Sequence, residues 1–313
     1  MTQEPRSRIH ESGQFFVLIA VCIGLMILGV LIGAGIAVVL YGSNILSQVS
    51  TFNPAIPHVV ATIWILQITS TTMPLFAAPV IFARFIVKEP VAYLKPKLSI
   101  PISLFALVFA VMFFSMPFME FLISFNQKLT LPQALSGLEH WLREKEQQAQ
   151  NETQLLLQMK TFGSMLFTLL EVGLLTAIAE EFLFRGCMQT IFTRWTKSYH
   201  WGIWIAAIIF SAFHMQFFGF LPRMMLGVGF GYFVYYSGSI WTSVWAHFLN
   251  NGTAVVLTYL FQRKIITFDP DSNHYNYIIA VFSLIFTVFL FFIYQKVALS
   301  KKQLQPHNGK GLG

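Results

Sequence analysis

The sequence predicts an all-α, polytopic integral membrane protein, a helical bundle of about eight transmembrane helices. Three observations carry that reading. Of 313 residues, 56% are hydrophobic and only 11% charged, against about 25% charged in a soluble domain. Phe alone occurs 33 times. Uncharged apolar runs near the roughly 20 residues that cross a bilayer recur along the whole chain. The net charge of +7 falls on loop lysines and arginines, with no basic run or base-reading motif, so the expected surroundings are a lipid bilayer and no nucleic acid. Two cysteines, Cys22 and Cys187, read as small core residues and exclude both a disulfide framework and a cysteine metal site.

The spans, in order, are Phe15–Tyr41, His58–Ala83, Ile102–Ile123, Thr161–Phe184, Trp201–Phe220, Met224–Tyr236, Ile240–Phe261 and Tyr277–Tyr294. The first follows Arg6 and Arg8 and runs well past the ~7–15 residues of a signal-peptide core, so it reads as a retained span. Gly29 and Gly33 in that span, and Gly227, Gly229 and Gly231 in the sixth, would let helices approach closely. Positive charge orients the array. Arg6 and Arg8 precede the first span, and Arg84, Lys88, Lys95 and Lys97 follow the second. Arg185, Arg194 and Lys197 follow the fourth, and Lys296, Lys301 and Lys302 the eighth. Both termini are therefore expected in the cytoplasm, in the cell membrane if the source is bacterial. Arg263 and Lys264 run against the trend, beside Asp269 and Asp271.

The one long connection is residues 126–160. Thr130 and Gln133 have capping-box spacing. Leu131, Leu135, Leu138 and Leu142 repeat at helical spacing beside Trp141, an amphipathic helix lying on the membrane or over the spans. Residues 147–158 are polar and read as mobile. This gives an organisation of 1–160 (three spans plus the amphipathic helix), 161–261 (the core that carries the chemistry) and 262–313 (the last span and a polar tail).

Within that core, polar residues are few and fall one helical turn apart. Glu181 and Arg185 are four residues apart with the acid first, the favourable order for a helical ion pair. Glu180 is rotated about 100° from Glu181 and free to face elsewhere. His214 follows Phe210 by one turn, and Asn251 follows His247 by one turn on a shared face. Glu171 and Glu120 also interrupt apolar runs; Glu171 is half a turn out of phase with Glu180, and Glu120 follows Pro117. Charged groups at bilayer depth cost ~2.5–3.5 kcal/mol or more and are functional or paired by default. A carboxylate and an imidazole meeting in a dry pocket suit water activation, and a second imidazole with an amide suits an oxyanion. Equally, Glu180, His214 and His247 form a His₂–carboxylate set of the kind that holds a catalytic zinc. Residue types leave both chemistries open, zinc-dependent or metal-free.

Glu180-Glu181-Phe182-Leu183-Phe184-Arg185, Phe210-Ser211-Ala212-Phe213-His214 and His247-Phe248-Leu249-Asn250-Asn251 resemble, in this order, the three motifs of the CPBP family of intramembrane proteases. That family includes CAAX prenyl endopeptidases, bacteriocin-processing or immunity proteins and abortive-infection proteins. The resemblance spans roughly 161–261 and implies an intramembrane endopeptidase acting on a peptide or membrane-protein substrate, a prenylated CAAX protein or a leader or bacteriocin type. It also implies the site roles: Glu180 and His214 activate the attacking water, His247 and Asn251 stabilise the oxyanion, and Glu181 and Arg185 hold the geometry. A catalytically silent membrane or immunity protein and a proton-coupled transporter are the competing readings. The transporter reading predicts an internal repeat that the sequence lacks. One geometric demand follows from counting residues. His214 stands about 20 Å along its helix from Trp201, so the acidic pair reaches it only if the fifth helix is tilted or starts later, or the fourth runs on past Arg185 toward Trp195.

Overall fold

The computed structural model describes residues 9–269 and 276–303, with side chains as far as Ser300. Arg6, Arg8, Asp271 and the tail beyond Gln303 lie outside it, as do the side chains of Lys301 and Lys302. Among the described residues all regular structure is helical. The main elements are α1 (Glu11–Tyr41), α2 (Val59–Ile86), α3 (Pro90–Leu94), α4 (Ile102–Gln127), α5 (Ser136–Leu156), α6 (Phe162–Thr196), α7 (Tyr199–Phe213), α8 (Phe220–Ser237), α9 (Trp241–Gln262) and α10 (Tyr277–Gln303). Outward faces are apolar, as a lipid-facing surface must be: Val39 is 84% exposed and Phe282 68%. The chain is a multi-pass, all-α membrane protein.

Six described helices are long and apolar enough to cross a bilayer, so the count of eight spans is not reproduced by length and composition. Two segments fall short for different reasons. α7 has 15 residues, about 22 Å of helix against a hydrocarbon core of about 30 Å. α9 has 22 residues, but His247, Asn250, Asn251 and Gln262 lower its apolarity. The fifth span also ends at Phe213 and not at Phe220. Met215 takes a left-handed backbone (φ 54°), and the chain reverses through the turn 217–219 into α8, whose early Pro222 suits a first turn. Asn126 at the end of α4 pins this reversal from both sides, donating to the Phe217 carbonyl (2.8 Å) and accepting from the Leu221 N–H (2.6 Å).

The glycines separate into tight and slack positions. A Cβ at Gly29 would lie 1.9 Å from the Thr69 carbonyl oxygen, and one at Gly33 2.3 Å from the Thr69 hydroxyl. Only glycine lets α1 meet α2 there, where α2 widens into a π-helical turn over Ile68–Thr72. Gly227 and Gly231 likewise face α7 and α6 closely, whereas Gly229 faces open space.

α5 differs from expectation at both ends. It has no Thr130–Gln133 box: a 3₁₀ turn over Gln133–Leu135 leads into the helix, and Glu139 reaches back to accept the Leu131 N–H at 2.9 Å. Residues 147–156, read as mobile, continue the helix, because Leu155 and Leu156 bury against Ala37, Ile45, Val59 and Ile63. Past its end, Gln262 of α9 accepts the Met159 N–H and donates to the Leu157 carbonyl. Glu146, midway along α5, accepts the Phe218 N–H (3.1 Å). The helix is strapped across one end of the bundle.

Candidate active site

α6 runs unbroken through Arg185 to Thr196, which resolves the demand raised by counting. It does so with two π-helical stretches, Leu169–Leu175 and Phe182–Met188, on either side of the regular turn Thr176–Glu181. Such wide turns gather at functional sites because they re-aim side chains within a helix. α9 also starts deep. The Ile240 N–H donates to the Lys95 carbonyl, and the Lys95 ammonium donates to Thr190 of α6 (2.5 Å). α9 therefore begins level with Thr190, about 15 Å along α6 from Glu180, and His247 comes level with the acidic pair.

Glu181, Arg185 and His247 form a buried clasp. Glu181 is wholly buried and Arg185 1% exposed. Glu181 Oε1 lies 2.9 Å from Arg185 Nη1 and 2.8 Å from His247 Nδ1. The arginine approaches its partner side-on, without an aligned N–H···O bond, because its plane is held by aromatic faces. Its Cζ sits 4.2 Å from the Phe210 ring centroid and 5.3 Å from that of Phe230, contacts that favour a desolvated guanidinium. Gly227 leaves room for it, since a Cβ there would stand 3.1 Å from Nη2. The pair is thus enclosed within the helical bundle.

With His247 Nδ1 committed to Glu181, Nε2 is turned to Glu180, whose Oε2 is 3.7 Å away. That is too long for a direct hydrogen bond and of the size that one shared water bridges. Glu180 Oε2 is buried and has no hydrogen-bond partner in the fold. His247 itself is fixed by stacking on Phe230 (5.3 Å, 30°) and by the edge of Phe210 (5.9 Å).

His214 is the C-cap of α7. Its Nδ1 lies 2.9 Å from the Phe210 carbonyl; a carbonyl only accepts, so Nδ1 carries the proton and Nε2 is the basic nitrogen of the neutral ring. The ring packs edge-on against Phe210 (5.0 Å) and is near enough for the charges of Glu180 and His247 to act on it. Phe210 is therefore the wall shared by both imidazoles and the arginine. Asn251, one turn beyond His247, donates to the Val172 carbonyl (3.2 Å), a group presented by the first π-helical stretch of α6. Its second amide N–H is not used by that bond. Glu171, in the same stretch, is buried, with Oε1 unpartnered.

The donor types suit zinc, and Glu180 Oε2 and His247 Nε2 stand close to the separation of about 3.3 Å between neighbouring ligands of a tetrahedral ion. The third ligand is what fails. Among the described residues no three His, Cys, Asp or Glu side chains gather closely enough to hold a metal. The arrangement of Glu180, His214 and His247 therefore does not fit zinc as it stands.

All six expected site residues, Glu180, Glu181, Arg185, His214, His247 and Asn251, thus occupy one region where α6, α7 and α9 face one another. Phe230 carries no polar signal in the sequence, and Gly227 is marked there only as a helix-packing glycine. Arg223, which falls between the fifth and sixth apolar runs in the sequence, also lies near this group.

Residues 162–253 match the family model described as Type II CAAX prenyl endopeptidase Rce1-like. No curated protein and no solved structure matches the chain.

Proposed function

We propose, from the match of residues 162–253 to that family model, that this chain is a CPBP-type, CAAX-protease-like intramembrane protease that hydrolyses a peptide bond of a membrane-associated substrate with Glu180 as the general base. The observation that carries the reading is the unpartnered Glu180 Oε2, 3.7 Å from a His247 Nε2 that the Glu181–Arg185 pair holds in place. A water seated between them gives its proton to Glu180 as its oxygen attacks the peptide carbonyl. The bare Nε2 of His214 shares in orienting or deprotonating that water. The carbonyl oxygen, now an anion, accepts from the free N–H of Asn251 and from the Nε2–H that His247 carries in its doubly protonated form. The carboxylate of Glu181 accepts Nδ1–H and balances the charge of that imidazolium. Collapse of the tetrahedral intermediate breaks the C–N bond, and the proton on Glu180 passes to the leaving amine. The products are an acid and an amine, and no other reactant is consumed.

The substrate is a prenylated CAAX protein or a leader- or bacteriocin-type peptide, and the cell's own chemistry separates the two. The test is Glu180→Gln in full-length protein reconstituted in liposomes. The amide keeps the shape and cannot take the proton, so cleavage should fall by about 10²–10⁴-fold or more with an unchanged elution profile and Tm. Undiminished proteolysis removes Glu180 from this role, and a wild type that cleaves nothing favours the silent-protein reading. Elemental analysis and chelation decide the metal question: an active preparation free of zinc supports the route above, whereas activity lost on chelation and restored by zinc assigns the ion to Glu180 and the histidines.

A further inference from the structure

Arg223 sits in the first turn of α8, on the α5 side of the catalytic group. Its guanidinium lies against the backbone of Gly219, where a Cβ would stand 3.0 Å from Nη2 and 3.5 Å from Cζ and Nη1. Nη2 donates to Gln216 Oε1 at 2.5 Å. Nη1 is out of contact with solvent and has no hydrogen-bond partner. Two carboxylates are near enough for their charges to act on this arginine, Glu146 of α5 and Glu180, and its own charge acts on His214. Neither acid is hydrogen-bonded to it. Glu146 spends Oε2 on the Phe218 N–H, and Glu180 faces His247.

A guanidinium nitrogen shut off from solvent with no acceptor is costly unless an anion meets it. The helix that carries it is pinned by Asn126 and by Ser211, whose hydroxyl donates to the Phe220 carbonyl. Arg223 is therefore held, through Gln216, two residues along the chain from His214, and is short of one acceptor. A planar, bidentate cation in that position selects a carboxylate.

We propose that Arg223 is a substrate-anchoring residue that receives a carboxylate of the bound peptide on its free Nη1 edge, close to the bond that is cut. The place of the carboxylate relative to a cut bond rests on the protease reading, but the anchoring itself does not need turnover. The carboxylate is either a free chain terminus or an acidic side chain. Glu146 and Gln216 set the orientation of the guanidinium from the other sides.

The experiment uses the reconstituted full chain and three matched, membrane-anchored, internally quenched peptides. One ends in a free acid, one in an amide, and one in an amide with a glutamate within the last three residues. The expected result is a preference on the order of ten- to a hundred-fold for a carboxylate-bearing peptide over the plain amide, expressed mainly in KM. Whichever carboxylate peptide is preferred identifies the source. Arg223→Gln should bring that ratio to about one, and Arg223→Lys should leave an intermediate ratio. Gly219→Ala, which displaces the guanidinium without removing it, should lower the ratio as well and decides the matter where Arg223→Gln does not fold. Equal KM for acid and amide in the wild type, or a ratio that survives Arg223→Gln, overturns the proposal. The same peptides are titrated onto Glu180→Gln by fluorescence anisotropy. Carboxylate-dependent binding there that is lost in Glu180→Gln/Arg223→Gln upholds the anchor even if no peptide is cleaved. Binding indifferent to the carboxylate sinks the anchor while leaving the protease reading to its own test.

Discussion

At the scale of single residues, the centre of the protein is a charge pair that should not be removable by halves. Glu181 and Arg185 are buried together, and a buried ion left without its partner costs about 3–5 kcal/mol. Arg185→Met should therefore destabilise the protein by that order, read as a fall in Tm in detergent, while Glu181→Gln/Arg185→Met, which removes both charges, should recover most of the loss. If the single variant melts with the wild type, the pair is not what holds the centre. The sequence made this pair legible because a Glu and an Arg one turn apart in an apolar run have few other solutions. It did not show that Phe210 and Phe230 flank the arginine, since nothing marks one phenylalanine among 33 as a cation's neighbour. His214 was legible as a site residue but not as a helix terminus, because the reversal after it is set by Asn126, 88 positions earlier in the chain.

At the scale of elements, α1 meets the widened turn of α2 closely, and Gly29 there gives the opposite expectation from Gly229 on α8. Gly29→Ala puts a methyl group 1.9 Å from a carbonyl oxygen, so the helices must part; overpacking of this kind costs about 1–3 kcal/mol. Gly229→Ala meets no atom within 4 Å, so it should be neutral or mildly stabilising, alanine being the better helix former. A Tm that falls equally for both would show that these contacts do not govern stability. The strap α5 carries one pH-dependent contact. Hydrogen bonds from Arg143 and the Leu131 N–H hold Glu139 below its ordinary value of 4.5. A carboxyl depressed in the folded state stabilises above its unfolded pKa and loses that contribution as pH falls through the folded one. Protection of the Leu131 amide from hydrogen exchange, corrected for intrinsic rate, should hold at pH 6 and decline below about 4.5, and Glu139→Gln should remove that decline. The strap's helical period was visible in the sequence. Its full length was not, because residues 147–156 are polar and only Leu155 and Leu156 reveal, through their partners on α1 and α2, that the helix is tied down.

At the scale of the whole molecule, the two ends of the bundle are distinguished by which loops meet. The Ser239 hydroxyl donates to the Lys97 carbonyl, Arg194 pairs with Glu89 at 2.7 Å, and Lys95 reaches Thr190, so the connections after α2, α6 and α8 share one face. Asn126 with Phe217, and Gln262 with Leu157, tie α4, α5 and α9 at the other. The first face carries Arg84, Lys88, Lys95, Lys97, Arg194 and Lys197. The second carries Lys128, Arg143, Lys145, Lys160, Arg263 and Lys264 interleaved with Glu139, Glu144, Glu146 and Glu152. The contrast is narrower than counting after each span suggested, because the long connection bearing α5 adds cations to the second face. In the sequence, Arg6 and Arg8 before α1 and Lys296, Lys301 and Lys302 at the end of α10 tip the count toward the first face, so that face should be cytoplasmic and the strap should lie outside. Cys22 and Cys187 are both buried, which leaves a quiet background for thiol labelling. In intact cells a membrane-impermeant maleimide should label Glu144→Cys, and should label Lys197→Cys only after permeabilisation. The reverse pattern would invert the protein in its membrane. Labelling of both from one side would break the alternation of α6, α7, α8 and α9 that brings Glu180, His214 and His247 to the same depth.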